Sequence, residues 1–317
     1  MCGWVKIPAL VVLLFLIFVP CSSASFAVYY GQINPTTFSK LNNFDILILS
    51  PTIDSKYVPK LSADHVVVGY LSLATIGGWE PWAKNVTEDM LIGGNPNWGE
   101  KIVNFSSPEW ERVVLEEAVP YILSKGFNGV FLDNLDYVDL YPDKKGTMVE
   151  LVRSIREHYP NITIIVNRGF SIVRDITPYI DYLLFEDFVT YYDFDSGRYK
   201  IFNENNLQWE FAQIQKLKSL NVSMLVLSYA NMSNESQMKK FSSIICRYAE
   251  KYNISEVYLT DVSLLRIGLN PCERRIKYQK TTLEPMPTGT SSKENKRAIC
   301  GPVIFLLLVI LTRFTSR

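Results

Sequence analysis

Residues 126 to 136 read GFNGVFLDNLD. The apolar run Gly129-Val130-Phe131-Leu132 has the length and residue types of a buried strand, yet it leads directly into Asp133 and Asp136. An unpaired carboxylate is costly to bury, so this strand is expected to emerge into a cleft with its acids at the mouth. Seven more runs of the same kind flank it: FAVYYGQI (26–33), ILILS (46–50), VVVGYLSL (66–73), ITIIVNR (162–168), YLLFED (182–187), SMLVLSYA (223–230) and EVYLTD (256–261).

Stretches of helical period lie between them. In SPEWERVVLEEAVPYILSKG, Ser107 is a cap, Pro108 opens the first turn and Gly126 closes the end. In KGTMVELVRSIREHYP, Met148, Leu151, Val152 and Ile155 share one face. Eight apolar strands alternating with helices predict an α/β fold, a single-domain (β/α)8 TIM barrel over residues 25–280. The competing doubly wound sheet would need a glycine-rich first turn to hold a dinucleotide, and YYGQIN is not one.

Barrel enzymes carry their chemistry at the C-terminal ends of the strands. Tyr70, Asp133, Asn167, Arg168, Glu186, Tyr229 and Asp261 fall at or near those ends, and Tyr30 in the first run is a further candidate contact. Residues 74–107 form a connection too long to be a simple turn and carry Trp79, Trp82 and Trp98 on the same face as the acids. Indoles beside carboxylates predict a sugar-binding cleft, with Trp79 and Trp98 as stacking surfaces. The alternative is that these tryptophans pack the loop onto the barrel.

The other chemistries find little support. Lys and Arg match Asp and Glu at 32 each, so no basic field points to nucleic acid. His65 and His158 lack ligand partners at metal spacing, and no phosphate loop appears, so neither a metal nor a cofactor is expected. Carboxylates remain. Glycosidic hydrolysis needs one acid to protonate the leaving oxygen and a second carboxylate across the bond. Asp133 and Glu186, ending the fourth and sixth strands, would face each other across a barrel mouth; the alternative for Asp133 is a helix cap or a salt bridge to Arg168. Asp187 is expected to point away from Glu186, and Asp136 to be a rim contact or cap. Asn167 and Arg168 would hold substrate hydroxyls, keep Asp133 ionised or brace the site. Asp261 would hold substrate or cap the following turn.

Both ends of the chain read as address segments. Residues 1–24 carry Lys6, an apolar run and the small residues Ser22 and Ala24, the layout of an export signal cleaved after Ala24, with an uncleaved anchor as the alternative. Residues 281–297 are Ser/Thr/Pro-rich and read as a stalk. Residues 298–312, AICGPVIFLLLVILT, read as a membrane anchor. Fifteen residues reach about 22 Å as a helix, short of a bilayer core of about 30 Å, and a processed lipid-anchor signal competes with this reading. Seven sequons, at Asn85, Asn104, Asn161, Asn221, Asn231, Asn234 and Asn253, fit a glycosylated cell-surface protein. Asn161, Asn221 and Asn253 fall in helix-to-strand turns, away from the predicted mouth. Cys246 and Cys272 are a disulfide candidate, or two buried thiols.

The segments VVVGYLSL, GGNPNWGEKIVNFSSPEW, KGFNGVFLDNLDYVD, MVELVRSIREHYPNITIIVNRG and YIDYLLFED together resemble the glycoside hydrolase family 114-like barrels, whose characterised members are endo-α-1,4-polygalactosaminidases. The likeness spans most of residues 28–262. It implies a barrel that cuts a galactosamine-containing or related polysaccharide without a cofactor. Asp133 matches the family's strand-four aspartate and Glu186 its strand-six glutamate. By likeness to retaining α-glycosidases of similar layout, Asp133 would be the nucleophile and Glu186 the acid/base. Where the family commonly shows Gly-Glu or Gly-Ser after the third strand, this chain has Ala74-Thr75, so no substrate contact is carried over to that turn. A different class of function, a surface barrel that binds glycan without cleaving it, would keep the same acids as hydrogen-bond acceptors.

Overall fold

A computed structural model describes residues 25–95 and 99–272. The expected signal (1–24), stalk (281–297), anchor (298–312) and Trp98 lie outside the described residues. Among the described residues no helix is long and apolar enough to cross a membrane.

Each of the eight apolar runs forms a strand: β1 (Phe26–Tyr29), β2 (Ile46–Leu49), β3 (Val66–Ser72), β4 (Gly129–Asp133), β5 (Thr163–Asn167), β6 (Tyr182–Phe185), β7 (Ser223–Tyr229) and β8 (Val257–Thr260). They pair in that order, every neighbour parallel. Val130, Leu132, Ile164, Val166, Leu183 and Val226 are fully buried, as strands sandwiched between a packed interior and a ring of helices must be.

Several strands stop earlier than their apolar runs suggest, for a backbone reason. Asn134, Arg168 and Asp187 take left-handed φ values of 64°, 56° and 62°. A left-handed residue cannot continue the pleat, so the chain turns there and delivers the next side chains to the mouth.

The barrel is nearly closed rather than fully hydrogen-bonded around its girth. Between β8 and β1 the backbone of Leu269 pairs with Leu259 instead, through two bonds of 2.9 and 3.0 Å. Gly268 permits this approach, since a Cβ there would sit 2.2 Å from the Leu259 carbonyl oxygen. Tyr258 spans the seam: its ring packs on Phe26 with centroids 5.5 Å apart, and its hydroxyl accepts the Gly268 N–H at 2.6 Å. The Tyr30 N–H donates to the Leu264 carbonyl at 2.8 Å, tying the first strand's end to the last loop.

The helices follow the sequence, with one departure. Ser107 Oγ accepts the Trp110 N–H at 3.1 Å, and Gly126 ends the segment at φ 96°. The middle of this helix, Val114–Ala118, widens into a π-turn. Pro120 explains it, having no N–H to donate and a ring that would clash with the Glu116 carbonyl in a regular helix. In the helix Lys145–His158, Met148, Leu151, Val152 and Ile155 are buried as a single face.

The long connection after β3 is built around a small antiparallel sheet of Thr75–Ile76, Glu100–Val103 and Leu91–Asn95. Cys246 and Cys272 are disulfide-bonded, with Cα atoms 5.4 Å apart. The bond ties the helix Glu235–Lys251 to the segment that fills the seam.

Candidate active site

A pocket of about 530 Å³ opens at the C-terminal ends of the strands. Tyr30, Tyr70, Trp79, Asp133, Asp136, Asn167, Arg168, Glu186 and Tyr229 all line it. Asp261 does not. Its Oδ1 accepts the Ser263 N–H at 3.0 Å and its carboxylate lies 3.7 Å from Arg266, so it caps the turn after β8 rather than facing the pocket. Of the loop tryptophans, Trp79 is 48% exposed and lines the pocket beside Tyr70. Trp82 is buried edge-on against Tyr121 and serves packing.

The two candidate catalytic carboxyls share a single donor. Asn167, the last residue of β5, sits between the ends of β4 and β6, and its Nδ2 donates to Asp133 Oδ1 at 2.9 Å and to Glu186 Oε2 at 2.6 Å. Those two contacts place the acceptor oxygens at most about 5.5 Å apart, within the reach of one reacting centre. Asn167 is 7% exposed and its Oδ1 has no protein partner.

Each carboxyl has further donors. Asp133 accepts its neighbour's backbone N–H, Asn134, at 2.8 Å, and a hydrogen bond from the Tyr70 hydroxyl. Tyr229 donates to Glu186 Oε1 at 2.5 Å. Desolvation and then the adjacent Glu186 charge push Asp133 up to about 6, and its three donors offset only part of that rise. Burial, reinforced by the same carboxylates, holds the Tyr30, Tyr70 and Tyr229 phenols well above their usual range, so they remain protonated donors.

Arg168 is turned away from Asp133. Its Nε lies 2.9 Å from Asp136 Oδ2, its Nη1 3.7 Å from Asp187 Oδ2, and its guanidinium covers the Phe170 ring. The salt-bridge alternative for Asp133 therefore falls to Asp136. Asp136 also accepts the Gly169 N–H at 2.9 Å, and makes no side-chain cap on the short helix Tyr137–Leu140. Asp187 lies past the end of β6 and outside the pocket lining; burial, then Glu186, pushes it up to about 7, with Arg168 opposing.

Several polar residues of the site were not expected. Asn134 lines the pocket and donates from Nδ2 to Ser72 Oγ and Thr75 Oγ1, both at 2.9 Å, fastening the end of β4 to that of β3. Glu100 enters the pocket from the loop sheet, its carboxyl raised chiefly by burial. Glu210, in the helix Glu204–Ser219, is 3% exposed just below the mouth. A signal for it exists in the sequence, because Leu207, Glu210, Ile214 and Leu217 follow helical spacing and put an acid on the apolar face. Glu100 has no such signal, since its placement depends on a loop.

Of the sequon asparagines, Asn161, Asn221, Asn231, Asn234 and Asn253 are exposed, while Asn85 and Asn104 are half-buried. Asn85 Nδ2 donates to Glu117. Asn221 and Asn253 take φ 55° and 48° just past helix ends, a position asparagine fills readily whether or not it is glycosylated. His65 meets Asn42 and His158 meets the Ser154 carbonyl. Among the described residues no group of three or more His, Cys, Asp or Glu side chains converges as a metal site.

The fold has counterparts among known proteins. The glycoside hydrolase domain of PelA from Pseudomonas aeruginosa superposes with a TM-score of 0.68 at 17% identity, covering 78% of this chain and 98% of that one. Aspergillus fumigatus Ega3, solved in complex with galactosamine, gives 0.61 at 16%, covering 77% and 94%. An uncharacterized protein of Deinococcus radiodurans is 21% identical over 150 residues, 42% of this chain and 48% of that protein, so the match spans about half the relative's length. The sequence model of the glycoside hydrolase family GH114 matches residues 19–279. The chain belongs to glycoside hydrolase family GH114.

Proposed function

We propose that this chain is a retaining glycoside hydrolase that cleaves amino-sugar-containing polysaccharide, in the manner of an endo-α-1,4-polygalactosaminidase, with Asp133 as nucleophile and Glu186 as acid/base. The observation that carries this reading is the Asn167 amide bridging the two carboxyls at the floor of an open cleft. The shared donor keeps the nearest oxygens of the two carboxyls within about 5.5 Å, a closeness compatible with the roughly 5–5.5 Å separation of retaining enzymes. The pocket wall favours a cationic sugar: Asp133, Asp136, Glu186 and Glu100 face it, and Arg168, the one cationic side chain of that lining among the described residues, is engaged by Asp136 and Asp187. Trp79, half-exposed in the pocket lining, offers an apolar face to a pyranose ring. The galactosamine bound to Ega3 supports the same class of sugar.

In the proposed cycle Glu186 protonates the glycosidic oxygen while Asp133 attacks the anomeric carbon. Water activated by Glu186 then hydrolyses the glycosyl ester. One observation favours the opposite division of roles, since a raised carboxyl such as Asp133 suits an acid. Mass spectrometry of enzyme quenched during turnover decides between them by locating the ester on Asp133 or on Glu186.

The reading extends to location. Residues 1–24 would export the chain, 281–297 would space it and 298–312 would anchor it at the outer cell surface, with glycans on the exposed sequons. The Cys246–Cys272 bond fits an oxidising compartment.

The test is the appearance of new reducing ends from α-1,4-linked galactosamine oligomers. Asp133→Asn and Glu186→Gln should each lower kcat by about a thousandfold or more, the scale of losing a catalytic group. Oligomer binding by the wild-type chain without cleavage would support the glycan-binding alternative instead.

A further inference from the structure

Directly after Glu186 the backbone enters a turn that its own residues disfavour. Asp187 has φ 62° and Val189 φ 67°. A β-branched residue is a true outlier there. The Thr190 N–H donates back to the Phe188 carbonyl at 2.7 Å, an i to i+2 bond across a positive φ, which is the rare and strained form of γ-turn. Such a turn persists only where its surroundings over-determine it.

Those surroundings are specific. From β7, the Leu227 carbonyl accepts the Phe188 N–H at 2.8 Å, Ser228 Oγ donates to the Phe188 carbonyl at 2.6 Å, and the Tyr229 carbonyl accepts from Thr190 Oγ1 at 2.9 Å. Val189 itself is held at both ends: its carbonyl accepts the Phe202 N–H at 3.0 Å, and its N–H donates to Glu210 Oε2 at 3.1 Å, the tie made by a side chain. Glu210 occupies the apolar face of its helix, where a methionine would be cheaper to bury. Burial pushes its carboxyl up to about 8, with Asp187 adding to the rise, so near pH 7 it is a neutral acid. Its place in the fold is explained by the amide it accepts.

We propose that Glu210 is a positioning residue for Glu186: by accepting the Val189 N–H it locks the left-handed turn, and so holds the Glu186 carboxyl between Asn167 and Tyr229. The proposal rests on the reading of Glu186 as a catalytic group.

The full-length chain and its Glu210→Gln, Glu210→Met and Glu210→Asp variants are assayed on α-1,4-linked galactosamine oligomers, with folding followed by near-UV circular dichroism. Gln keeps an acceptor at the same reach and resembles the protonated acid, so its kcat stays within about threefold of wild type. Met fills the space without an acceptor, and Asp falls one methylene short. Each lowers kcat by about a hundredfold, the scale of a misplacement of about 1 Å, while KM stays within about twofold. Adding Val189→Gly to Glu210→Met restores kcat by about tenfold or more, because glycine holds the same φ without a side-chain clash. A folded Met or Asp variant with wild-type kcat overturns the proposal, as does a Gln variant that falls as far as Met. Unfolding of both Met and Asp also overturns it, assigning Glu210 to stability. A wild-type chain that cleaves nothing refutes the hydrolase reading itself.

Discussion

Replacing Asn167 with leucine tests the shared-donor geometry quantitatively. The substitution keeps the side chain's size and removes the two N–H bonds at 2.9 and 2.6 Å that Nδ2 gives to Asp133 and Glu186. Nothing else is lost, because Oδ1 has no protein partner. A hydrogen bond to a charged group contributes about 1.5–3 kcal/mol, and one pKa unit corresponds to about 1.4 kcal/mol, so losing the Asn167 donor should raise Asp133 by about one to two units. Asp133 starts at about 6, so it would titrate at about 7–8 in the variant. The direction follows from the donor's role: Asn167 favours the charged carboxylate, and without it the proton binds more tightly. A nucleophile must be ionised, so the acid limb of kcat/KM should lie near pH 6 in the wild type and move upward in Asn167→Leu. At pH 6 the ionised fraction of Asp133 would fall from about a half to a tenth or below. The assay is a pH–rate profile on galactosamine oligomers for both proteins, with circular dichroism to confirm folding. An acid limb that stays within about 0.3 units of wild type would refute the claim that Asn167 holds Asp133 ionised.

Two further outcomes follow. Tyr229→Phe removes the hydroxyl that donates to Glu186, and kcat/KM should fall about ten- to a hundredfold in steady-state assays, the value of one hydrogen bond to a charged group. Replacing Cys246 and Cys272 with alanine opens a loop with a sequence separation of 26, worth about 3–4 kcal/mol of unfolded-state entropy, so Tm should drop by about 10 °C in a thermal melt while hydrolysis at 25 °C is retained.

The barrel was legible because its strands are buried on both faces and so appear as continuous apolar runs, such as Gly129–Leu132 and Ile164–Val166. The floor of the site was legible for the same reason: a polar residue ending such a run, like Asp133 or Asn167, stands out against it. Asp261 ends a run in the same way yet turns into its own loop, because Ser263 two residues on offers a local donor. No sequence pattern distinguishes those two fates. The sequence leaves Arg168 as a substrate contact, a partner of Asp133 or a brace; φ 56° and its ion pairs turn it toward Asp136 and Asp187, and a backbone reversal at a non-glycine residue leaves no mark in a propensity reading. Glu100 and Asn134 depend on tertiary placement, the first on a loop sheet and the second on hydroxyls from a neighbouring strand. Glu210 was the one omission with a visible cue, an acid repeating in step with Leu207, Ile214 and Leu217.

The most direct measurement is a proton NMR time course of the reducing ends released from α-1,4-linked galactosamine oligomers in the first minutes of reaction. Double displacement through Asp133 predicts that the α-anomer appears first and the β-anomer grows in only by mutarotation. Initial release of the β-anomer would contradict double displacement through Asp133 and point to direct attack by water, and no release at all would remove the hydrolytic role from Asp133 and Glu186 altogether.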